Sequence, residues 1–134
     1  MSTNIRTIRR SDLVYPELSY QILGVLFGVG TEVGFGHKEI FYQRACGNRF
    51  RKVGFEVKEQ VPARIIHRGQ FIGIYYFDFL INDKVVIEIK VRNYFSKKDI
   101  DQLYAYLKAR NLKLGIIAHF TKSGVKYKRV VNVI

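Results

Sequence analysis

The chain has little of what usually staples or anchors a small protein. One cysteine, Cys46, stands among 134 residues, so no internal disulfide can form and no second thiol exists for a zinc site. That usage suits a reducing compartment, and a cytoplasmic protein is the expectation; Cys46 itself reads as a small buried hydrophobe. Tryptophan is absent and proline occurs twice, which leaves no material for a Pro-rich linker. No uninterrupted apolar run approaches a bilayer span, and the start, MSTNIRTIRRSD, lacks the apolar stretch of a secretory signal. A soluble protein without a membrane partner is the expectation. Acids are scarce: eleven Asp and Glu face 23 Lys and Arg, a formal charge of +12. An excess of that size favours polyanions through counterion release, nucleic acid first and an anionic membrane surface a distant second.

What is present is enough apolar residue, 48%, for one core and one domain. Residues 1–15 are expected to form a flexible basic arm in which Arg6, Arg9 and Arg10 suit a phosphate backbone, and residues 16–134 a single domain. Leu18, Ile22, Val25, Leu26, Val29 and Val33 recur at helical spacing and predict a helix over 18–33; a second is expected over 37–52, stopped by Gly54. Three strands follow, near 55–66, 71–81 and 84–91, with turns at HRGQ and ND. A helix over 97–110 and two closing strands complete the order α-α-β-β-β-α-β-β. Strands apolar on both faces are buried by helices on each side of a mixed sheet, so the fold class is a three-layer α/β arrangement.

The scarce acids sit oddly. Asp78 lies inside YYFDFLI, where its neighbours leave neither face of the strand wet, and a lone buried aspartate is costly. Glu88 and Lys90 follow in VVIEIKV; alone they read as an exposed ion pair of small value. A three-residue turn at Asn82, Asp83 and Lys84 would bring residue 78 opposite residue 88, with both carboxylates on one face about 5 Å apart. A two-residue turn would send them to opposite faces, and the sequence leaves the register open. In the first case two close carboxylates either share a proton or hold a divalent cation between them, with Lys90 beside it on the same face. Carboxylates with water suit Mg²⁺ or Mn²⁺, and a lysine alongside suits phosphodiester hydrolysis. His37, His67 and His119 show no metal-ligand spacing.

The spacing D-x9-E-x-K across two strands, after a helix bearing an acid, resembles the PD-(D/E)XK nuclease superfamily, and more narrowly its GxxExxY proteins. Gly36, Glu39 and Tyr42 give the name-bearing motif in GHKEIFY, and DQLYAYLKA with Gln102 and LGIIAHF resemble the following helix and the last core strand. The likeness runs over about residues 18–131 and departs at Phe35, where the family carries proline between the two glycines. It implies a restriction-endonuclease-like fold and a metal-dependent nuclease, acting on DNA in repair or processing. It further implies Glu39, Asp78, Glu88 and the Ile89 carbonyl as ligands of Mg²⁺ or Mn²⁺, Lys90 as the group that activates water, and Gln102 as a residue that positions Lys90 or the substrate phosphate. Tyr42, Lys97, Lys98, Lys122, Lys126, Lys128 and Arg129 are the expected nucleic-acid contacts. Glu39, Gln102 and Tyr42 also have plain structural readings, as a helix-dipole acid, a polar helix residue and a packing ring. The competing expectation is a basic module that grips nucleic acid without cutting it, or an accessory subunit, as a homodimer or within a larger DNA-processing complex.

Overall fold

The computed structural model describes residues 14–133; the arm expected over residues 1–15 lies outside the described residues apart from Val14 and Tyr15. Two helices, α1 (Pro16–Val33) and α2 (Glu39–Lys52), precede strands β1 (Val57–His67), β2 (Gln70–Ile81) and β3 (Val85–Lys90). Helix α3 (Lys97–Arg110) leads to β4 (Leu114–Thr121) and β5 (Gly124–Val131). The five strands lie side by side in chain order, every pair antiparallel except β3 and β4. That parallel step needs a crossover, and α3 provides it. This is the mixed, helix-flanked α/β sheet that the sequence predicts.

Alternation along the central strands divides the core between two helical layers. Val85, Ile87 and Ile89 of β3 and Leu114, Ile116, Ala118 and Phe120 of β4 pack with Ile22, Leu26, Val29, Tyr42, Cys46 and Phe50 of α1 and α2. Val86 and Ile117, on the other side, pack with Leu103, Tyr106 and Leu107 of α3. The α3 layer sits close because residue 115 of β4 is glycine: a Cβ there would stand 2.6 Å from Leu103 Cδ2. Ser96 starts α3, its side chain accepting a hydrogen bond from the Asp99 amide at 3.4 Å, and Asn111 in the left-handed region ends it.

One strand breaks the alternation. Phe77 belongs to the α3-side cluster and Phe79, two residues on, to the opposite one, whereas a regular pleat sends i and i+2 to the same side. In the partner strand Gln60, between the paired Glu59 and Val61, has φ of +52°. The β1–β2 ribbon therefore reverses its faces at the level of Asp78. Beyond that point it continues to the tight turn at Arg68 and Gly69, both in the left-handed region. Only Phe79, Leu80 and Ile81 of β2 pair with β3, so residues 61–77 stand beside the sheet as a two-stranded extension.

Candidate active site

The turn that decides the register has three residues. Ile81 pairs with Val85, the Lys84 amide donates to the Ile81 carbonyl at 2.9 Å, and Asn82 and Asp83 both take positive φ. Pairing runs through Phe79 and Ile87, which brings residues 78 and 88 level. There the backbone ladder stops and side chains replace it. The Asp78 amide donates to Glu88 Oε1 at 3.3 Å, and the Ile89 amide donates to Asp78 Oδ2 at 2.7 Å. Each acid thus answers a backbone donor that the parting strands would leave unpaired.

Asp78 and Glu88 are 5% and 4% exposed, a burial that opposes the charge of both. Burial first, then the neighbouring Glu88, pushes the Asp78 carboxyl up to about 8. Burial raises Glu88 as well, although Tyr75, Asp78 and Lys90 each pull it down. Two carboxyls this close resist carrying two charges at once, and the Asp78 carboxyl keeps its proton near neutral pH. The two acids meet where β2 and β3 part, Asp78 reaching toward Gln43 of α2 and Glu88 toward Tyr75.

Around this pair the chain builds two short relays. On one side Gln43 of α2 donates to Asp78 Oδ1 at 2.8 Å and lies 3.4 Å from Glu39 Oε2. Glu39, expected as a direct ligand, is therefore one hydrogen bond removed from the pair. On the other side the Tyr75 hydroxyl donates to Glu88 Oε2 and accepts from Lys90 Nζ at 3.2 Å, with Lys90 also 3.5 Å from Glu88 Oε2. Burial, then the bond to Glu88, raises the Tyr75 phenol well above its ordinary value, so it stays a proton donor. Neither Gln43 nor Tyr75 stands out in the sequence: a glutamine one helical turn after Glu39 is common, and Tyr75 lies in a run of aromatics. The four-residue step from Glu39 was the only signal for Gln43.

The motif residues around Glu39 form a clamp. Gly36 has φ of +106°, which only glycine adopts without strain. The Tyr42 hydroxyl donates to the Gly34 carbonyl and accepts from the His37 amide at 3.4 Å, tying the loop down just before Glu39 begins α2. Tyr42 is fully buried and stacks on Phe120 at 4.4 Å. Its side chain offers no surface to a nucleic acid, which corrects that expectation. Cys46 is fully buried too, its thiol pushed up to about 12 by burial and by Asp78.

The expected basic contacts gather at one end of the sheet. Lys90 is level with His119 of β4, and His119 with Lys126 of β5, so the three stand in a row leading away from the acids. Lys122 and Lys126 are exposed, Lys128 lies 5.3 Å over the Phe95 ring, and Lys97 and Lys98 open α3. Lys97 is paired with Asp101 at 2.6 Å, and Arg129 is turned inward to the Val14 carbonyl at 2.6 Å. Gln102 is half-buried and lines a cavity of about 610 Å³ between α3 and β1, with Ala63 and Tyr106; it makes no hydrogen bond to Lys90 among the described residues. His119 is buried, one ring nitrogen 3.1 Å from the Arg92 carbonyl, and His37 and His67 are exposed.

Among the described residues no three of His, Cys, Asp and Glu converge as a ready-made cation cage. The donor set nevertheless fits a divalent cation in its chemistry, because two buried acids whose charges oppose each other gain most from a positive charge between them. Among the described residues no helix is long and apolar enough to cross a membrane.

The family model of the PD-(D/E)XK nuclease superfamily matches residues 16–130. Among solved structures, that of SSO0001 is similar at 18% identity and a TM-score of 0.52, covering 72% of this chain and 49% of that one. An alkaline exonuclease, LHK-Exo from Laribacter hongkongensis, is similar at 14% identity and a TM-score of 0.46, covering 65% of this chain and 52% of that one. The chain thus spans about half the length of each, and the first likeness is one of fold. No curated protein matches the sequence.

Proposed function

Since the chain belongs to the PD-(D/E)XK nuclease superfamily, we propose that it is a metal-dependent nuclease that hydrolyses phosphodiester bonds at Asp78, Glu88 and Lys90. The observation that carries this reading is the pair of buried acids with raised pKa, facing each other with a lysine 3.5 Å from one of them. A core without catalytic purpose gains nothing from two carboxyls in one gap, and a pure polyanion binder gains nothing from acids at its centre. Within the superfamily we assign the chain to the GxxExxY proteins, on the arrangement of Gly36, Glu39 and Tyr42. Residues 16–134 are read as one nuclease-like domain behind a basic arm, and DNA as the substrate.

Mg²⁺ or Mn²⁺, held by Asp78, Glu88, the Ile89 carbonyl and Glu39, would supply positive charge against the phosphate in the transition state. The remaining work falls to the protein. Lys90, kept beside Glu88 by the Tyr75 hydroxyl, offers a fixed positive charge and hydrogen-bond donors that orient the attacking water and stabilise the phosphate. Gln43 holds Glu39 and Asp78 in one network, so both acids face the same space. The cationic row through Lys126, with Lys98 and Lys122, draws the phosphate backbone toward the acids. Gln102, away from Lys90, is left with a substrate contact as its role.

The deciding experiment is cleavage of labelled single-stranded, duplex and branched DNA and of RNA, with Mg²⁺, with Mn²⁺ and with chelator. Metal-dependent cutting that Asp78→Asn abolishes is the expected result. Binding without cutting on every substrate would overturn the reading in favour of a non-cleaving module or accessory subunit.

A further inference from the structure

The β1–β2 extension carries a surface that the proposed chemistry does not use. Pro62 pairs with Tyr76, Arg64 with Ile74 and Ile66 with Phe71, and residues paired across an antiparallel ladder share a face. Pro62, Arg64 and Ile66 alternate along β1, so all six lie on one side. The other side, with Val61, Ala63, Tyr75 and Phe77, is packed on α3. On the sheet proper the first side would be covered by α1 and α2, but the cluster beneath those helices reaches β2 only at Phe79 and Ile81. Tyr76, Ile74, Phe71 and Ile66 are consequently 51%, 45%, 49% and 52% exposed. Four large apolar side chains on one bare face are more than a small protein usually leaves to water.

Three observations name the occupant. First, the extension is cationic: Arg64 and Arg68 lie within residues 60–77, which contain no acid, and the Arg64 guanidinium sits 4.4 Å over the Phe71 ring. Second, the face ends beside the candidate site, because Tyr76 lies two residues from Asp78 along β2. Third, a second copy seated face to face would add a second set of arginines to a face that has no carboxylate to answer them, since residues 60–77 contain Arg64 and Arg68 and no acid. Aromatic rings interleaved with arginine and free of acid are the means by which proteins hold unpaired bases, the rings stacking and the cation meeting the phosphate. A base pair inside a duplex hides the faces that such rings need.

We propose that the face formed by Arg64, Phe71, Ile74 and Tyr76 is a stacking platform for unpaired nucleobases, and that the preferred substrate carries a single strand or single-stranded tail leading into the Asp78–Glu88 gap. The proposal rests on the nucleic-acid reading above and specifies the form of the substrate. Tyr76 receives the base nearest the acids; farther out Arg64, seated 4.4 Å over the Phe71 ring, meets the backbone, and the exposed part of Phe71 takes a second base.

The test uses the full chain in chelator, so that cleavage plays no part. The probes are 2-aminopurine-labelled oligonucleotides of equal phosphate number: single-stranded, blunt duplex, and duplex with a single-stranded tail. Single-stranded and tailed probes bind about tenfold more tightly than the blunt duplex, with quenching of 2-aminopurine on binding. Tyr76→Ala, and more so Tyr76→Ala with Phe71→Ala, removes that preference and the quenching while leaving the salt slope unchanged. Arg64→Gln lowers the salt slope by about one ion. Each altered side chain is exposed, and melting curves confirm that the variants fold. The proposal is overturned if the aromatic variants bind like wild type, if they weaken duplex and single strand alike, if no probe binds, or if the wild type is a dimer that the variants split. Cleavage with Mn²⁺ is scored separately. Wild type that cuts while the aromatic variants keep full single-strand binding ends this proposal and spares the nuclease; wild type that never cuts while the variants lose binding does the reverse.

Discussion

Replacing Asp78 with asparagine removes an ionisable group from the gap and almost nothing else. The asparagine carbonyl can still accept from the Ile89 amide, and its NH₂ can face Gln43 once that amide turns end for end. The aspartate it replaces is displaced from 3.8 to about 8, which at about 1.4 kcal/mol per pH unit opposes its charged form by roughly 6 kcal/mol. The folded protein thus binds this proton between those two values while the unfolded chain does not. Its contribution to stability is present below pH 4 and is lost as pH rises through about 8. Glu88, also raised, acts with the same sign.

With chelator present, wild type and Asp78→Asn are therefore expected to unfold within about 2 kcal/mol of each other at pH 5. At pH 9 the variant is the more stable, by about 2 to 6 kcal/mol, the lower figure applying where Glu88 carries part of the same penalty. Urea unfolding at the two pH values measures this directly. Asp78→Ala is the useful contrast, because it strands the Ile89 amide and Gln43 and costs about 1–3 kcal/mol at pH 5. An asparagine variant clearly weaker than wild type at pH 9 would refute the reasoning, since it would mean that a structural partner already satisfies the aspartate's charge.

Other consequences follow from the same geometry. Lys90→Ala is expected to lower the cleavage rate by roughly 10²–10⁴-fold while nucleic-acid binding in chelator holds, as single-turnover kinetics and anisotropy would show. Tyr75→Phe removes the hydroxyl that bridges Glu88 and Lys90; cleavage falls by about tenfold with the melting temperature within a few degrees of wild type. Mn²⁺ binding must displace the proton that Asp78 holds up to about 8. Affinity therefore climbs by about tenfold per pH unit toward 8 and levels off above it, with proton release visible by calorimetry in buffers of different ionisation heat. Gly115→Ala would put a methyl 2.6 Å from Leu103 and cost about 1–3 kcal/mol in urea unfolding without altering the site.

Much of this arrangement is legible in the residues. Helical spacing marks α1 and α3 to within two residues of their observed ends, because buried positions at 3.6-residue intervals leave few alternatives. The α1–α2 junction is less clear: His37 and Lys38 read as helix, yet Lys38 is the extended N-cap of α2, held outside it by the loop that Tyr42 clamps. The site is legible as an anomaly, an acid where no acid is cheap. Its register is not, since two- and three-residue turns differ only in how Asn82 and Asp83 use positive φ, and both residue types tolerate it. Tyr75 and Gln43 stay hidden because their roles depend on which neighbours the fold brings to them. Tyr42 misleads for a related reason: a tyrosine beside an acid suggests a substrate contact, and only packing reveals that its hydroxyl fastens a loop.

The reversal of faces at Asp78 connects these features. A ribbon that kept its pleat would carry Phe77 and Phe79 on the same side and continue pairing with β3, leaving no space between the strands. By turning over at Gln60 and Asp78, the ribbon parts from β3 just where both strands carry acids. The backbone donors exposed by that parting are what hold the carboxyls in place, through Asp78 to the Ile89 amide and Glu88 to the Asp78 amide. The same turn sends Tyr75 inward to Lys90 and leaves Tyr76 facing water. One local departure from regular strand geometry therefore opens the gap, fixes its acids and bares the surface beside it. Such departures cost stability, and they persist where the surrounding structure over-determines them; here the three paired residues of β2 with β3, and the packing of Phe79 on Phe50 at 5.4 Å, secure the sheet immediately behind the break.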